Sequence, residues 1–147
     1  MKLDVHHIGV VVDDIDKGKA VYETVFGMKE VARFTVDAFK AEVCFIPANN
    51  TYIELVQPLS DDGLGHFLKK HGSGTLHHIG YLVEDIDEAC RHFIEEKGLR
   101  SVTGGPQRVP CFENALFFHP KDTGNVLIEL VSGATCPLPG GGRTAAG

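Results

Sequence analysis

The sequence predicts an α+β fold built from two tandem βαβββ modules. Three observations carry this: an eleven-residue motif occurs twice, each copy precedes the same succession of helical and strand-like segments, and each succession closes on an aliphatic-Glu-aliphatic strand. Residues 6–16 read HHIGVVVDDID and residues 77–87 read HHIGYLVEDID, eight identities in eleven at an offset of 71. The same offset maps Tyr22 onto Phe93 and Gly27 onto Gly98, so the repeat continues past the motif.

In the first module, Val5 to Val12 is apolar and rich in β-branched residues, which favours a strand. Asp13-Asp14 supplies a helix N-cap, Ala20, Val21, Tyr22 and Val25 recur at helical spacing, and Gly27 ends the helix. Strands are expected at Lys29 to Val36, Ala41 to Ile46 and Thr51 to Gln57, separated by polar turns such as Pro47-Ala48-Asn49-Asn50. The second module repeats the scheme, with a strand from His78 to Val83 and a helix from Ile86 to Lys97. Its later strands are expected near Arg100 to Thr103, Asn114 to His119 and Val126 to Val131. Leu64 to Lys70 reads as a short linking helix. The expected organisation is one domain over residues 1–131, with modules at about 5–60 and 76–131, a linker at 61–75 and a flexible Gly/Pro-rich tail at 132–147.

Composition narrows the function. With 14 basic and 20 acidic residues the formal net charge is -6, the wrong sign for a protein that neutralises phosphate backbones, so no nucleic-acid partner is expected. No run approaches the roughly 18 apolar residues of a membrane span, and the N-terminus lacks a signal-peptide core, so a cytoplasmic protein without a membrane partner is expected. The four cysteines, Cys44, Cys90, Cys111 and Cys136, show no paired spacing, and ordinary buried thiols are expected.

Strand side chains alternate, so burying Ile8, Val10 and Val12 under the helix sends His7 to the opposite face. The same parity sends His78 away from Ile79, Tyr81 and Val83. Ile53 and Leu55 flank Glu54 as Ile128 and Leu130 flank Glu129, so both glutamates also leave the helix side. Carboxylates and imidazoles on a partly enclosed face are costly unless they meet a cation. His7, Glu54, His78 and Glu129 are therefore expected to bind one divalent metal ion in an open cup formed by the two modules. Two imidazoles and two carboxylates suit Co, Zn, Ni, Mn or Fe, with two octahedral positions left for substrate. His6 and His77, of opposite parity, read as structural.

A βαβββ repeat that opens on His-Ile-Gly and closes on Ile-Glu-Leu resembles the vicinal oxygen chelate (glyoxalase/bleomycin resistance) superfamily over residues 5–131. YIELVQPLS at 52–60, HFLKKHGSGTLHHIGYLVEDID at 66–87 and FFHPKDTGNVLIELV at 117–131 resemble the methylmalonyl-CoA epimerases within it. The resemblance implies the same four metal ligands and a homodimeric isomerase. It implies inversion of the α-carbon of methylmalonyl-CoA, or of a closely related acyl-CoA, through proton abstraction and an enediolate. It places the catalytic bases at Glu42 and Glu129, and the stretch GGPQRVPCFENALFF in a loop that faces the substrate. Lys40, Lys69, Lys70, Arg100 and Arg108 are the candidate cations for the CoA phosphates. The alternatives within the superfamily are a glyoxalase I-type lactoylglutathione lyase and a non-catalytic antibiotic-binding protein.

Overall fold

The computed structural model describes residues 1–135, which divide into two compact units, His7–His77 and residues 1–6 together with 78–135. Each unit contains one βαβββ module, so the α+β class and the tandem repeat are as the sequence predicts. The first comprises β1 (Asp4–Val11), α1 (Ile15–Phe26), β2 (Ala32–Val36), β3 (Ala41–Pro47) and β4 (Tyr52–Pro58), followed by the linking helix α2 (Leu64–His71). The second comprises β5 (Thr75–Leu82), α3 (Ile86–Cys90), a π-helical continuation over Arg91–Glu96, β6 (Gln107–Val109), β7 (Phe112–Phe117) and β8 (Ile128–Ala134). No helix among the described residues is long and apolar enough to cross a membrane.

The first module orders its strands β2-β3-β4-β1, with β1 parallel to β4 and the other neighbours antiparallel. Asp14 caps α1 by accepting from the Lys17 N–H at 3.1 Å, and Gln57 Oε1 accepts from the Ile15 N–H at 2.9 Å, so two N–H groups of the first turn have partners. Gly27, left-handed at φ 65°, ends the helix. The buried core under α1 is Val12, Ile15, Cys44, Ile46 and Leu55, with Val10, Tyr22, Met28 and Ile53 packed on it. Each fully buried aliphatic side chain contributes about 1.5–3 kcal/mol. β2 begins at Ala32 rather than Lys29, because Met28 turns back onto the helix core and Val31 first reaches β3 with its N–H on the Phe45 carbonyl (2.9 Å).

The second module orders its strands β5-β8-β7-β6, with β5 parallel to β8. Asp85 caps α3 by accepting from the Asp87 and Glu88 N–H groups. Val83, Ile86, Ala89, Leu116, Phe118 and Leu130 form the core beneath it. Three expectations need correction here. Arg100 to Thr103 is not a strand but a single bridge, Ser101 to Phe118, beside the Arg100–Asp122 ion pair. The strand that pairs with β7 is β6, inside the stretch read as a loop, where Pro110 and Cys111 (φ 74°) reverse the chain so that Val109 faces Phe112. β8 runs on to Ala134 and Ser132 is buried, so residues 132–134 belong to the sheet rather than to a tail. The rest of the expected tail, from Cys136, lies outside the described residues. Cys44 and Cys90 are free thiols, whereas Cys111 is disulfide-bonded, which the cysteine spacing did not indicate.

Gly65 sits at the start of α2, where an added Cβ would stand 1.9 Å from the Ser60 carbonyl oxygen. Alanine ordinarily stabilises a helical glycine position by about 1 kcal/mol. Here the backbone clash reverses the sign, and Gly65→Ala is expected to lower stability by about 1–3 kcal/mol in urea unfolding.

Candidate metal centre

Each module brings one imidazole and one carboxylate together by the same register. In the first, β1 runs parallel to β4 with Gly9 opposite Glu54, and β3 runs antiparallel with Phe45 opposite the same glutamate. His7 is fully buried, with Nε2 3.7 Å from Glu54 Oε2. The Phe45 ring meets the His7 ring edge to face, with centroids 5.7 Å apart, and Phe34 and Tyr52 in turn pack on Phe45. In the second, Gly80 lies opposite Glu129 on one side and Phe117 on the other. His78 and Glu129 are 4% and 6% exposed, with Nε2 3.2 Å from Oε2, and Phe117 meets His78 edge to face at 5.6 Å.

Four kinds of residue therefore recur in the same places: histidine, the glycine two positions on, glutamate on the parallel neighbour and phenylalanine across from it. Glycine leaves the space beside each carboxylate free of a side chain, and phenylalanine fixes the plane of each imidazole. The two phenylalanines were not singled out in the sequence. Their signal was present, since Phe45 and Phe117 stand in the strand preceding each glutamate strand. A buried imidazole beside a buried carboxylate is a costly arrangement in isolation. As donors, one nitrogen and one oxygen from each module match the chemistry of a borderline divalent ion. His6 and His77 pack instead on aromatic rings, His6 on Phe112 at 5.0 Å and His77 on Phe67 at 4.9 Å, in keeping with a structural role.

Glu42 is not with these residues. On β3 the side chains of Val43 and Phe45 share the face of Glu54, while Glu42 shares the face of Cys44 and Ile46, which pack under α1. Arg33 Nε holds the Glu42 carboxylate at 2.6 Å, and its Nη1 holds Asp16 of α1 at the same distance. The base expected there is thus part of an ion-pair bridge on the helix side, and Val43 occupies the position toward Glu54. Of the candidate phosphate-binding cations, Lys40, Lys69 and Arg100 are engaged by Asp62, Asp61 and Asp122. Lys70 and Arg108 are exposed.

Close to this bridge, the buried Cys44 thiol donates to Glu30 Oε2 at 3.0 Å, and Lys19 Nζ contacts Glu30 at 3.1 Å. Burial, reinforced by the Glu30 carboxylate, pushes the thiol up to about 12. The stability tied to the protonated thiol is therefore present below its ordinary value near 9 and is lost as the pH rises toward 12. At pH 9, iodoacetamide should alkylate the partly exposed Cys90 at least about tenfold faster than Cys44, as read by peptide mass spectrometry.

Residues 6–118 match the model of the Glyoxalase/Bleomycin resistance protein/Dioxygenase superfamily. The ethylmalonyl-CoA/methylmalonyl-CoA epimerase of Cereibacter sphaeroides is 35% identical over 127 residues, which cover 85% of this chain and 94% of that protein. Among solved structures, the methylmalonyl-CoA epimerase of Mycobacterium tuberculosis superposes with a TM-score of 0.82 at 31% identity, covering 89% of this chain and 88% of that one. A Streptomyces coelicolor methylmalonyl-CoA epimerase variant in complex with 2-nitronate-propionyl-CoA gives a TM-score of 0.84 at 28% identity, covering 91% and 97%.

Proposed function

The chain belongs to the glyoxalase/bleomycin resistance protein/dioxygenase superfamily, and from that premise we propose that it is a metal-dependent epimerase acting on methylmalonyl-CoA or a closely related 2-substituted acyl-CoA. The observation that carries the reading is the histidine–glutamate pair repeated in both modules at one register. The similarity to methylmalonyl-CoA epimerases over most of the chain supports the substrate class. In this reading both pairs, His7 with Glu54 and His78 with Glu129, serve one ion. Their donor chemistry supports it, and His7, His78 and Glu129 are all buried histidine or carboxylate side chains suited to a metal. Bound there, a divalent ion supplies positive charge beside a thioester carbonyl and so makes the adjacent α-proton more acidic.

The protein's own residues then supply the rest. Glu129 is the proton acceptor, and the Phe117 and Phe45 rings hold the imidazoles edge to face. Inversion requires a proton to return on the opposite side of the α-carbon. With Glu42 tied to Arg33 behind the sheet, Glu54 is the carboxylate of the first module that shares the face of His7, and we give it that role: Glu54 enters the step protonated and Glu129 ionised, and the two exchange protonation states in one turnover. The reading includes a homodimer and a cytoplasmic location.

Incubating the metal-loaded protein with methylmalonyl-CoA in deuterated water should place deuterium at the α-carbon, followed by NMR. Glu129→Gln should slow this by about 10²-fold or more, whereas Glu42→Gln should leave it within a few-fold of wild type. Elemental analysis should show the metal lost from His78→Ala and retained by Glu42→Gln. Absence of deuteration, with wild type and Glu129→Gln alike, would refute the epimerase reading.

A further inference from the structure

The helices of the two modules turn different faces to solvent. On α1, positions 17, 20, 21, 24 and 25 fall together on the outer side, away from Ile15, which is buried in the core. Val21 and Val25 are 53% and 69% exposed there, and Ala20 and Thr24 are exposed beside them. The Thr24 hydroxyl donates to the Ala20 carbonyl at 2.6 Å, so its methyl group is what it leaves to the face. At the offset of 71 the second module carries Arg91, His92, Glu95 and Glu96 in these places, and Glu96 pairs with both Arg91 and His92. The repeat thus contains its own comparison: one helix meets water with charges, the other with valines. Valine is a poorer helix former than alanine, and in the single chain these two recover nothing by burial.

Charge decides what covers such a face. Lys17 stands one turn before Val21, is exposed, and its ammonium makes no ion pair or hydrogen bond within the described residues. A cation in the first turn opposes the helix dipole, whereas the last turn of α1, where a cation is favoured, has no basic residue. A second α1 laid antiparallel on the first satisfies both ends. With a two-fold axis between Val21 and Thr24, Ala20 of one copy meets the partner's Val25, and Val21 meets the partner's Thr24. Lys17 then lies about 8 Å along the helix from the axis, level with the end of the other α1 and its last carbonyl groups. A parallel arrangement would set Lys17 against the partner's Lys17. We propose that the outer face of α1 is the contact between two copies of this chain, paired antiparallel about a two-fold axis. This contact rests on the homodimer included in the reading above and is independent of the substrate.

Sedimentation velocity of the full chain over about a hundredfold range of concentration reads the association. Wild type should pass from monomer to dimer, and Val25→Glu, which copies the second module's Glu96, should weaken dimerisation by about tenfold or more. Lys17→Glu separates the contact from a structural effect. An acidic side chain in the first turn favours the helix that carries it, so urea unfolding of the dilute monomer should show no loss of stability, while dimerisation weakens by about fivefold. In a Cys90→Ser background, Val21→Cys should oxidise to a cross-linked dimer with copper phenanthroline. Lys17→Cys, about 16 Å from its counterpart in the antiparallel pair, should not. A wild type that stays monomeric throughout would overturn the contact together with the homodimer and leave the face to another protein. A dimer that Val25→Glu and Lys17→Glu leave intact, or one that cross-links through Lys17→Cys, would overturn the contact and leave the homodimer standing. Deuteration of methylmalonyl-CoA reads the epimerase assignment separately.

Discussion

The placement of the histidines and glutamates follows from the two-residue period of the strands. Once Ile8, Val10 and Val12 are committed to the helix side, His7 has one face left to occupy, and the aliphatic neighbours of Glu54 commit it in the same way. The second module obeys the same arithmetic through Leu130, Leu116 and Phe118. Hydrophobic burial, worth far more in sum than any one polar contact, thus dictates where the polar groups go. The histidines and glutamates are placed by what surrounds them rather than by attraction to one another.

That constraint also explains what the sequence disclosed. The motif at Asp14 and Asp85, the glycine stops at Gly27 and Gly98, and the parity of His7, Glu54, His78 and Glu129 all depend on local patterns, and the structure shows each of them. Glu42 depends on something the pattern does not contain. Its face is set by the register of β3 against β4, which the loop between them determines, and a one-residue slip in an assumed register moves a side chain to the other side of the sheet. β6 escaped for a different reason. Three residues are too few to display a period, and the reversal at Pro110 and Cys111 that creates its pairing depends on one left-handed non-glycine residue.

The helix side of the first module has its own electrostatic economy. Arg33 joins Asp16 and Glu42, and Lys19 joins Glu30 above the Cys44 thiol, so α1 is attached to β2 and β3 by charges at its rim as well as by its apolar core. Arg33 holds Asp16 below the ordinary carboxylate range, the sign expected of a working ion pair. Such rim pairs are individually worth little at an exposed position. Of these, Arg33–Glu42 joins β2 to β3, while Arg33–Asp16 and Lys19–Glu30 tie α1 to β2 and to the segment that leads into it.

The matched positions of the two modules, and the mismatches beside them, Ala41 and Val43 of β3 standing where β7 has Glu113 and Ala115, bear on how a duplicated site tells one end of a ligand from the other. Two equivalent half-sites would accept an unsymmetrical molecule in either of two poses with equal energy, and half of all encounters would be wasted. Any side chain that contacts the ligand in one half only removes that degeneracy. A preference of about 1.4 kcal/mol already gives ten correct orientations for each reversed one, so a duplication need alter only one residue to acquire a head and a tail.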